Sequence, residues 1–548
     1  MNKPDSGRIQ CNHVDVRQRR ICFAGIDWQH GRLATITVLG EEKPDHSYLI
    51  NGFIDAHVHV ESSMLTPVEF SRLATRHGTI ACLSDPHEIA NVLGLQGIRF
   101  MLENAAQTPL RFFFGAPSCV PATPFETAGA RLDAEQLEVL FKSGEAGYLS
   151  EMMNYPGVLA QDPAVMNKLA LTRRYHLPVD GHAPGLLGEQ ARRYAASGIT
   201  TDHECSSLEE AETKLEAGMQ ILIREGSAAR NFEVLHPLVS RYPEQVMFCS
   251  DDKHPDDLQQ GHIDRLAARA VAMGHDVFDV LRCACLNPIE HYRLPLGSLQ
   301  PGDSMDGVLI DDLQRFKVLQ TWIKGACVAE NGRSLIESVD TTSCNCFQAR
   351  PVAVEDFILP AETRQIRVIE ALDGELFTRA IQTRGSVQDG HFVPDPRRDI
   401  LLLSVVNRYH PAPPTLAFIR GFGLEAEAIA STVAHDSHNL IAVGADVEAL
   451  CQAINSLIDC QGGIAVVDAS QEAHILPLPV AGLMSLDDAD SVAQAYKMLD
   501  DRAKRLGSKL RAPFMTLSFM ALLVIPELKL SDRGLFDGRS FTFTSITV

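Results

Sequence analysis

Between about residue 50 and residue 298, short apolar segments alternate with longer amphipathic or Ala/Leu-rich segments. The short runs predict buried strands and the longer ones predict helices, among them Ala90–Asn104, Phe232–Ser240 and Asp256–Met273. Eight strands are predicted, at Leu49–Val58, Thr79–Leu83, Arg111–Gly115, Gly147–Met152, Leu177–Gly181, Ile199–His203, Met219–Ile223 and Gln245–Ser250. Eight strand–helix repeats in about 250 residues match the usual size of an α/β fold of the (β/α)₈ TIM-like barrel type. A doubly wound open sheet is the alternative, but the Gly-rich phosphate loop expected after its first strand is not seen.

The segments that flank these repeats have a different pattern. Residues 20–49 and 305–335 contain short strand-like runs. Segments on both sides of a barrel can pair, so we expect one small β-sandwich domain made from residues 1–49 plus 299–344. The barrel then covers residues 50–298, and an additional α+β C-terminal domain covers residues 345–548.

Residues able to bind metals recur where the predicted strands end. All strands of a parallel barrel deliver their C-terminal residues to one rim, where the active sites of this fold lie. The pair His57 and His59 points to one face of the first strand, because residues two apart on a strand share a face. The later strand ends supply Asp85-Pro-His87-Glu88, Glu151, His182, His203-Glu204 and Asp251-Asp252. Imidazole and carboxylate ligands suit manganese, iron or zinc.

These ligands are too numerous for one tetrahedral ion, which makes a second metal plausible. A carboxylate such as Glu151 can bridge two ions about 3.5–4 Å apart, and a water shared by them has a pKa lowered towards about 7. Asp251 can both bind a metal and accept a proton during attack by that water. The arrangement predicts hydrolysis at an electrophilic carbon.

The charge and cysteine content narrow the range of partners. A formal net charge of -21 argues against nucleic acid or an anionic membrane as a partner, since both repel an acidic surface. No segment approaches the roughly 18 uninterrupted apolar residues of a membrane span. The polar start of the chain shows no secretory signal. Thirteen cysteines, several within apolar runs, indicate buried thiols in a reducing compartment, so a cytoplasmic location is expected.

Longer motifs at these positions resemble a known family. Asp85-Pro-His-Glu88, Glu151-Met-Met-Asn-Tyr-Pro-Gly-Val158, Asp180-Gly-His-Ala-Pro184 and Ser431-Thr-Val-Ala-His-Asp-Ser-His438 occur together with Gly52-Phe-Ile-Asp-Ala-His-Val-His-Val-Glu61. The chain resembles the amidohydrolase superfamily and, more narrowly, bacterial-type adenine deaminase, from about residue 50 to the C-terminus. One departure is Asn51, where a proline is expected, and it lies outside the ligand set.

The resemblance implies hydrolysis of adenine to hypoxanthine and ammonia at a centre of two divalent metal ions per chain, manganese or iron first and zinc as an alternative. The ligands implied by position are His57, His59, Glu151, His182, His203 and Asp251. The leaving ammonia and N1 of the ring both need protons, so an acid/base must act. Asp251 is the expected initial base and Glu204 the candidate partner, although alternation along the strand would point Glu204 away from the metal.

Further polar residues are candidates for contacts with the purine or with the ligands, each with a structural role as the alternative: Glu61, His87, Glu88, Arg224, Ser227, Asp252, His435 and His438. The last two are expected to close over the barrel mouth, with a surface turn as the alternative. Two other functions stay open on the sequence alone. One is hydrolysis of another amino-heterocycle or a cyclic amide, and the other is a catalytically silent barrel. A symmetric homo-oligomer is expected for a chain of this size.

Overall fold

A computed structural model describes residues 5–468 and 470–548. Its centre is a set of eight parallel strands, Phe53–Val58, Thr79–Ser84, Arg111–Ala116, Tyr148–Met152, Val179–Gly181, Thr201–Asp202, Gln220–Arg224 and Val246–Cys249. The first five form one sheet and the last three form another. The two sheets are linked on both sides, because Thr200 N donates to Val179 O (2.8 Å) and Asp251 N donates to His57 O (2.9 Å). The predicted α/β, TIM-like fold is confirmed.

Helices connect successive strands and pack around them, as right-handed crossovers between parallel strands require. Local sequence starts several of them. Asp162 caps the helix that begins at Pro163, and Ser207 accepts from Glu210 N at the next cap. The helices of this part are Pro67–Ala74, His87–Leu93, Leu95–Ala105, Ala134–Ser143, Tyr155–Leu159, Pro163–Arg174, Gly188–Ala196, Leu208–Glu216, Phe232–Leu235, Leu238–Arg241, Pro255–Gln260, Ile263–Ala272, Val277–Leu281 and Asn287–Tyr292.

The predicted strand Leu49–Val58 is wrong as a single element. The structure divides it into Tyr48–Asn51, in the flanking sheet, and Phe53–Val58, in the barrel. Gly52 separates the two, and a Cβ there would lie 2.3 Å from the Ile80 side chain. Only glycine therefore lets the chain pass from one sheet to the other at this point.

Three predicted helices are also interrupted. The helix predicted from residue 90 to residue 104 is broken at Gly94, whose φ of 59° lies outside the helical region. The helix predicted from 232 to 240 is split before Leu238, after Pro237, which has no N–H to continue the ladder. The helix predicted from 256 to 273 is split at Gly261.

Strands from the two flanks pair in one mixed sheet of eight strands. Tyr48–Asn51 runs antiparallel to Gly307–Ile310, with Leu49 opposite Leu309. The strands of this sheet are Gly7–Asp15, Arg20–Gln29, Arg32–Gly40, Tyr48–Asn51, Gly307–Ile310, Val318–Ile323, Ala326–Glu330 and Arg333–Ser334.

The C-terminal region is built on a second sheet of eight strands, Gln365–Ala371, Thr378–Arg384, Leu401–Val406, Thr415–Arg420, Ala428–Ser431, Leu440–Gly444, Gly463–Val467 and Ala473–Pro477. Helices Val447–Asp459, Ala489–Arg505 and Pro513–Ser518 accompany it, together with two three-stranded sheets, Leu359–Pro360 with Ser386–Gln388 and His391–Val393, and Leu528–Ser531 with Gly534–Asp537 and Thr542–Phe543. Apolar side chains of this region and of the barrel share one buried core, so the region packs on the barrel itself. None of the helices within residues 5–468 and 470–548 has the length and apolar character needed to span a membrane.

Candidate active site

The six side chains expected at the strand ends meet at one mouth of the barrel. His57 and Glu151 lie within their strands, while the other four lie one or two residues beyond a strand end. Each is at most 6% exposed: His57, His59, Glu151, His182, His203 and Asp251. Buried polar groups of this kind need partners, because leaving them unpaired is costly.

One half of the cluster consists of His57, His59 and Asp251. The two Nε2 atoms lie 3.1 Å apart. Asp251 Oδ1 lies 3.2 Å from His59 Nε2 and 3.6 Å from His57 Nε2. His59 Nδ1 is 3.2 Å from the carbonyl oxygen of Asp85, to which it donates, so Nε2 carries the lone pair that faces the other two residues.

The other half consists of Glu151, His182 and His203. Glu151 Oε2 lies 3.0 Å from His203 Nε2 and 3.1 Å from His182 Nδ1. Its second oxygen, Oε1, lies 3.7 Å from His59 Nε2 in the first half. Oε2 also lies 3.8 Å from His57 Nε2, so the Glu151 carboxylate sits between the two halves of the cluster.

These spacings fit a metal-binding site. Ligand atoms around a tetrahedral ion with bonds of about 2.1 Å lie about 3.4 Å apart, which is within the range found here. Several triads of these buried groups have all their ligand atoms within 4.8 Å of one another, including His57 with His59 and Asp251, and His57 with Glu151 and His203. The donor set, imidazole nitrogen and carboxylate oxygen, is the one that divalent transition metals bind.

Arg224 neutralises two carboxylates beside the cluster. Its Nη1 contacts Glu204 Oε1 and lies 2.6 Å from Asp251 Oδ2, and its Nη2 donates to Glu204 Oε2 at 2.9 Å. Burial opposes ionisation of Asp251, yet the Arg224 guanidinium holds the pKa of that carboxyl well below its ordinary value. Asp251 is therefore a charged group at neutral pH.

Glu204 faces the cluster, whereas strict alternation of side chains along its strand would point it away. The sixth barrel strand ends at Asp202, so two residues later the backbone no longer alternates sides. The Glu204 carboxylate lies 3.5 Å from His182 Nδ1 and 3.5 Å from His203 Nε2.

A segment of the C-terminal region covers the mouth. His435 Nδ1 lies 2.5 Å from Glu88 Oε1, and His438 Nε2 contacts the second oxygen of the same carboxylate. Together with the cluster, this segment borders one pocket at the mouth. The pocket is lined by His59, His87, Glu88, Glu151, Met153, His182, His203, Glu204, Arg224, Ala229, Asp251, Asp252, Leu376, His435, Asp436, Phe519 and Leu522.

Three of the remaining candidates do not line this pocket. Glu61 accepts from Ile89 N at 3.2 Å and so supports a helix, and burial raises its pKa to about 7. Ser227 donates to Asp257 Oδ2 at 2.7 Å, away from the mouth. His438 contacts two residues that line the pocket, Glu88 through a hydrogen bond and His435 through a ring-edge contact.

Sequence reasoning did not single out Asp436, Phe519, Leu522, Leu376 or Met153 as lining residues. Asp436 lies inside the polar stretch from His435 to His438, and that position was its one available signal. Phe519 and Leu522 belong to a long apolar run in which no pattern distinguishes the residues that face a pocket.

Comparison with known proteins agrees with this geometry. The sequence profile of the amidohydrolase family matches residues 48–328, and that of the adenine deaminase C-terminal domain matches residues 375–542. An adenine deaminase of Salinibacter ruber is 52% identical over 542 residues, covering 98% of this chain and 99% of that protein. An adenine deaminase of Sulfurovum sp. is 50% identical, with 98% of each chain covered, and one of Parabacteroides distasonis is 45% identical, with 100% of each covered. The chain therefore belongs to the adenine deaminase family of amidohydrolases.

Proposed function

We propose that this protein hydrolyses adenine to hypoxanthine and ammonia. The observation that carries the proposal is the convergence of four imidazoles and two carboxylates, from five different strands, at one buried mouth. Relatives that match nearly the whole chain at 43–52% identity carry the name adenine deaminase.

We further propose that the cluster holds two divalent ions, manganese or iron in the first place and zinc as the alternative. The ligands would be His57, His59, Glu151, His182, His203 and Asp251. Glu151 supports a pair of ions because its carboxylate lies between the two halves of the cluster and faces imidazoles of both. Divalent ions bound there supply Lewis acidity, which lowers the pKa of water towards about 7.

In this proposal, Asp251 and Glu204 transfer the protons of the reaction. Addition of water at C6 and loss of ammonia require both protons of the water to leave its oxygen, the first during attack and the second as the C6 carbonyl forms; one proton reaches N1 and the other reaches the leaving nitrogen. Asp251 accepts the first proton, since Arg224 keeps it in the charged form. Glu204, held by the same guanidinium at the pocket wall, passes protons to the ring and to the amino group. Leu376, Phe519 and Leu522 exclude water from the opposite side.

The proposal extends to the organisation of the chain. We propose three domains, 1–49 plus 299–344 as a small β-sandwich, 50–298 as the barrel, and 345–548 as an α+β domain that completes the pocket. A symmetric homo-oligomer in the cytoplasm is the proposed setting. The cysteines of the described residues are all free thiols, which agrees with a reducing compartment.

The test is reconstitution of metal-free protein with manganese, iron and zinc separately, followed by assay of ammonia release. Adenine, other amino-purines, amino-pyrimidines and hydantoins should be compared. We expect turnover of adenine, with loss of its absorbance spectrum as hypoxanthine forms. Protein that holds two ions per chain yet leaves adenine unchanged would refute the proposal. Preferred turnover of a hydantoin would assign the site to a different amidohydrolase reaction.

A further inference from the structure

Two side chains of the C-terminal region that line the pocket each carry a buried polar atom with no hydrogen-bond partner among the described residues. They are His435 Nε2 and Asp436 Oδ2. Both residues are nearly fully buried, at 2% and 3% exposure, and both line the pocket. A buried polar atom without a hydrogen bond costs stability, so a pair of them in one pocket points to a ligand that satisfies both.

The orientation of His435 is fixed from behind. Its Nδ1 donates to Glu88 Oε1 at 2.5 Å, and its ring stacks on Phe519 with centroids 4.6 Å apart and an angle of 18° between the planes. Because Nδ1 is already hydrogen-bonded and the ring plane is fixed, Nε2 is the ring nitrogen that remains for a ligand. The nearest carboxylate oxygen to it is Asp252 Oδ1, 4.0 Å away.

Glu88, His435 and His438 form a hydrogen-bonded group rather than a further metal site. Ala434 N donates to His438 Nδ1 at 3.2 Å, so the His438 proton is on Nε2 and is donated to Glu88. An imidazole with that tautomer has no lone pair left for an ion. The group instead holds His435 in place.

The charge states make His435 a donor and Asp436 an acceptor. Burial opposes protonation of His435, but Glu88 and Asp252 raise its pKa to about 9, so Nε2 carries a proton at neutral pH. Burial raises the pKa of Asp436 to about 6, with His87 opposing that rise, so Asp436 remains mostly ionised at neutral pH. The part of the pocket lined by His435 and Asp436, the C-terminal wall, therefore offers one hydrogen-bond donor beside one acceptor.

We propose that His435 and Asp436 recognise the N3 and N9–H edge of the purine, so that the site accepts the free base and rejects bases substituted at N9. This inference rests on the proposed function. A second edge of adenine, formed by N7 and the amino group, also places a hydrogen-bond acceptor beside a donor and would match the same two side chains. However, C6 and its amino group must face Asp251 and Glu204 on the barrel, which leaves the N3 and N9 edge for the C-terminal wall.

Purine analogues test the inference on the unaltered, metal-loaded protein. 7-Deazaadenine keeps N3 and N9–H, and we expect it to inhibit with a Ki within about threefold of the KM for adenine. 9-Methyladenine loses the donor and 3-deazaadenine loses the acceptor, and each should bind about tenfold or more weakly. If 9-methyladenine binds as tightly as adenine, or if 7-deazaadenine is the analogue that loses affinity, the assignment of this edge is wrong.

Variants give an independent measurement. Asp436→Asn should raise the KM for adenine about tenfold or more and should reduce the penalty for 9-methyladenine. Asp459→Asn, an exposed position in the same domain, should leave both values unchanged. An unchanged KM in Asp436→Asn would overturn the proposal. If circular dichroism shows that this variant does not fold, the measurements with the purine analogues on the wild-type protein are the test. Absence of any adenine turnover by the wild-type protein is a different result, which removes the proposed function itself and this inference with it.

Discussion

Replacement of Arg224 by methionine tests how the site tolerates its buried negative charge. Arg224 is 7% exposed, and it is the cation that pairs with both Glu204 and Asp251. Three charge-assisted hydrogen bonds are lost, each contributing about 1.5–3 kcal/mol. The neighbouring histidines compensate part of this loss, so the net cost should be about 3–5 kcal/mol, as for other broken buried ion pairs.

The measurement is urea unfolding of the metal-free protein at neutral pH, with Arg230→Met as the matched control. Arg230 pairs with Asp257 at 3.3 Å, but both side chains are about one-third exposed, so its loss should cost about 0–1 kcal/mol. Metal loading should reduce the defect of Arg224→Met, since cations bound nearby neutralise the same carboxylates. An Arg224→Met protein within about 1 kcal/mol of wild type in the metal-free form would refute this account of the charge balance.

Three further predictions follow from the same contacts. Asp251→Asn should abolish deamination while circular dichroism and most metal binding stay at wild-type levels, and persistent activity would show that another group is the base. Gly181→Ala places a Cβ 2.3 Å from the Thr201 carbonyl oxygen and should cost about 1–3 kcal/mol in denaturant unfolding, whereas Gly147→Ala, with open space around its Cβ, should cost less than about 1 kcal/mol. Burial lowers the pKa of Lys529 to about 7, so the unfolded chain binds more protons above that pH. Wild-type stability should therefore rise by about 4 kcal/mol relative to Lys529→Met between about pH 7 and pH 10, and parallel pH profiles of the two proteins would contradict this.

The barrel could be predicted from sequence because its signals are local. Each strand is a short apolar run and each connection carries a helical pattern, so the residues at the strand ends follow from the strand positions alone. His57 and His59 illustrate this, since their spacing of two fixes a common face before any tertiary contact is known. Breaks inside elements were not predicted, because Gly94 and Gly261 interrupt helices only through the backbone conformation that packing selects.

The far wall of the pocket depends on contacts that are distant in sequence. Glu88 and His435 are separated by 347 positions and meet only after the C-terminal region packs on the barrel. Phe519 lies in a run of apolar residues, and which of them faces the pocket depends on how that run is bent over the mouth. Glu204 could not be oriented from alternation because its strand ends two residues earlier.

The central claim, that residues from separate strands hold a pair of metal ions at one mouth, is tested most directly by anomalous diffraction from crystals loaded with manganese. Two anomalous peaks per chain, enclosed by the four histidines together with Glu151 and Asp251, are the predicted result. A single peak, or peaks located away from those six side chains, would contradict it.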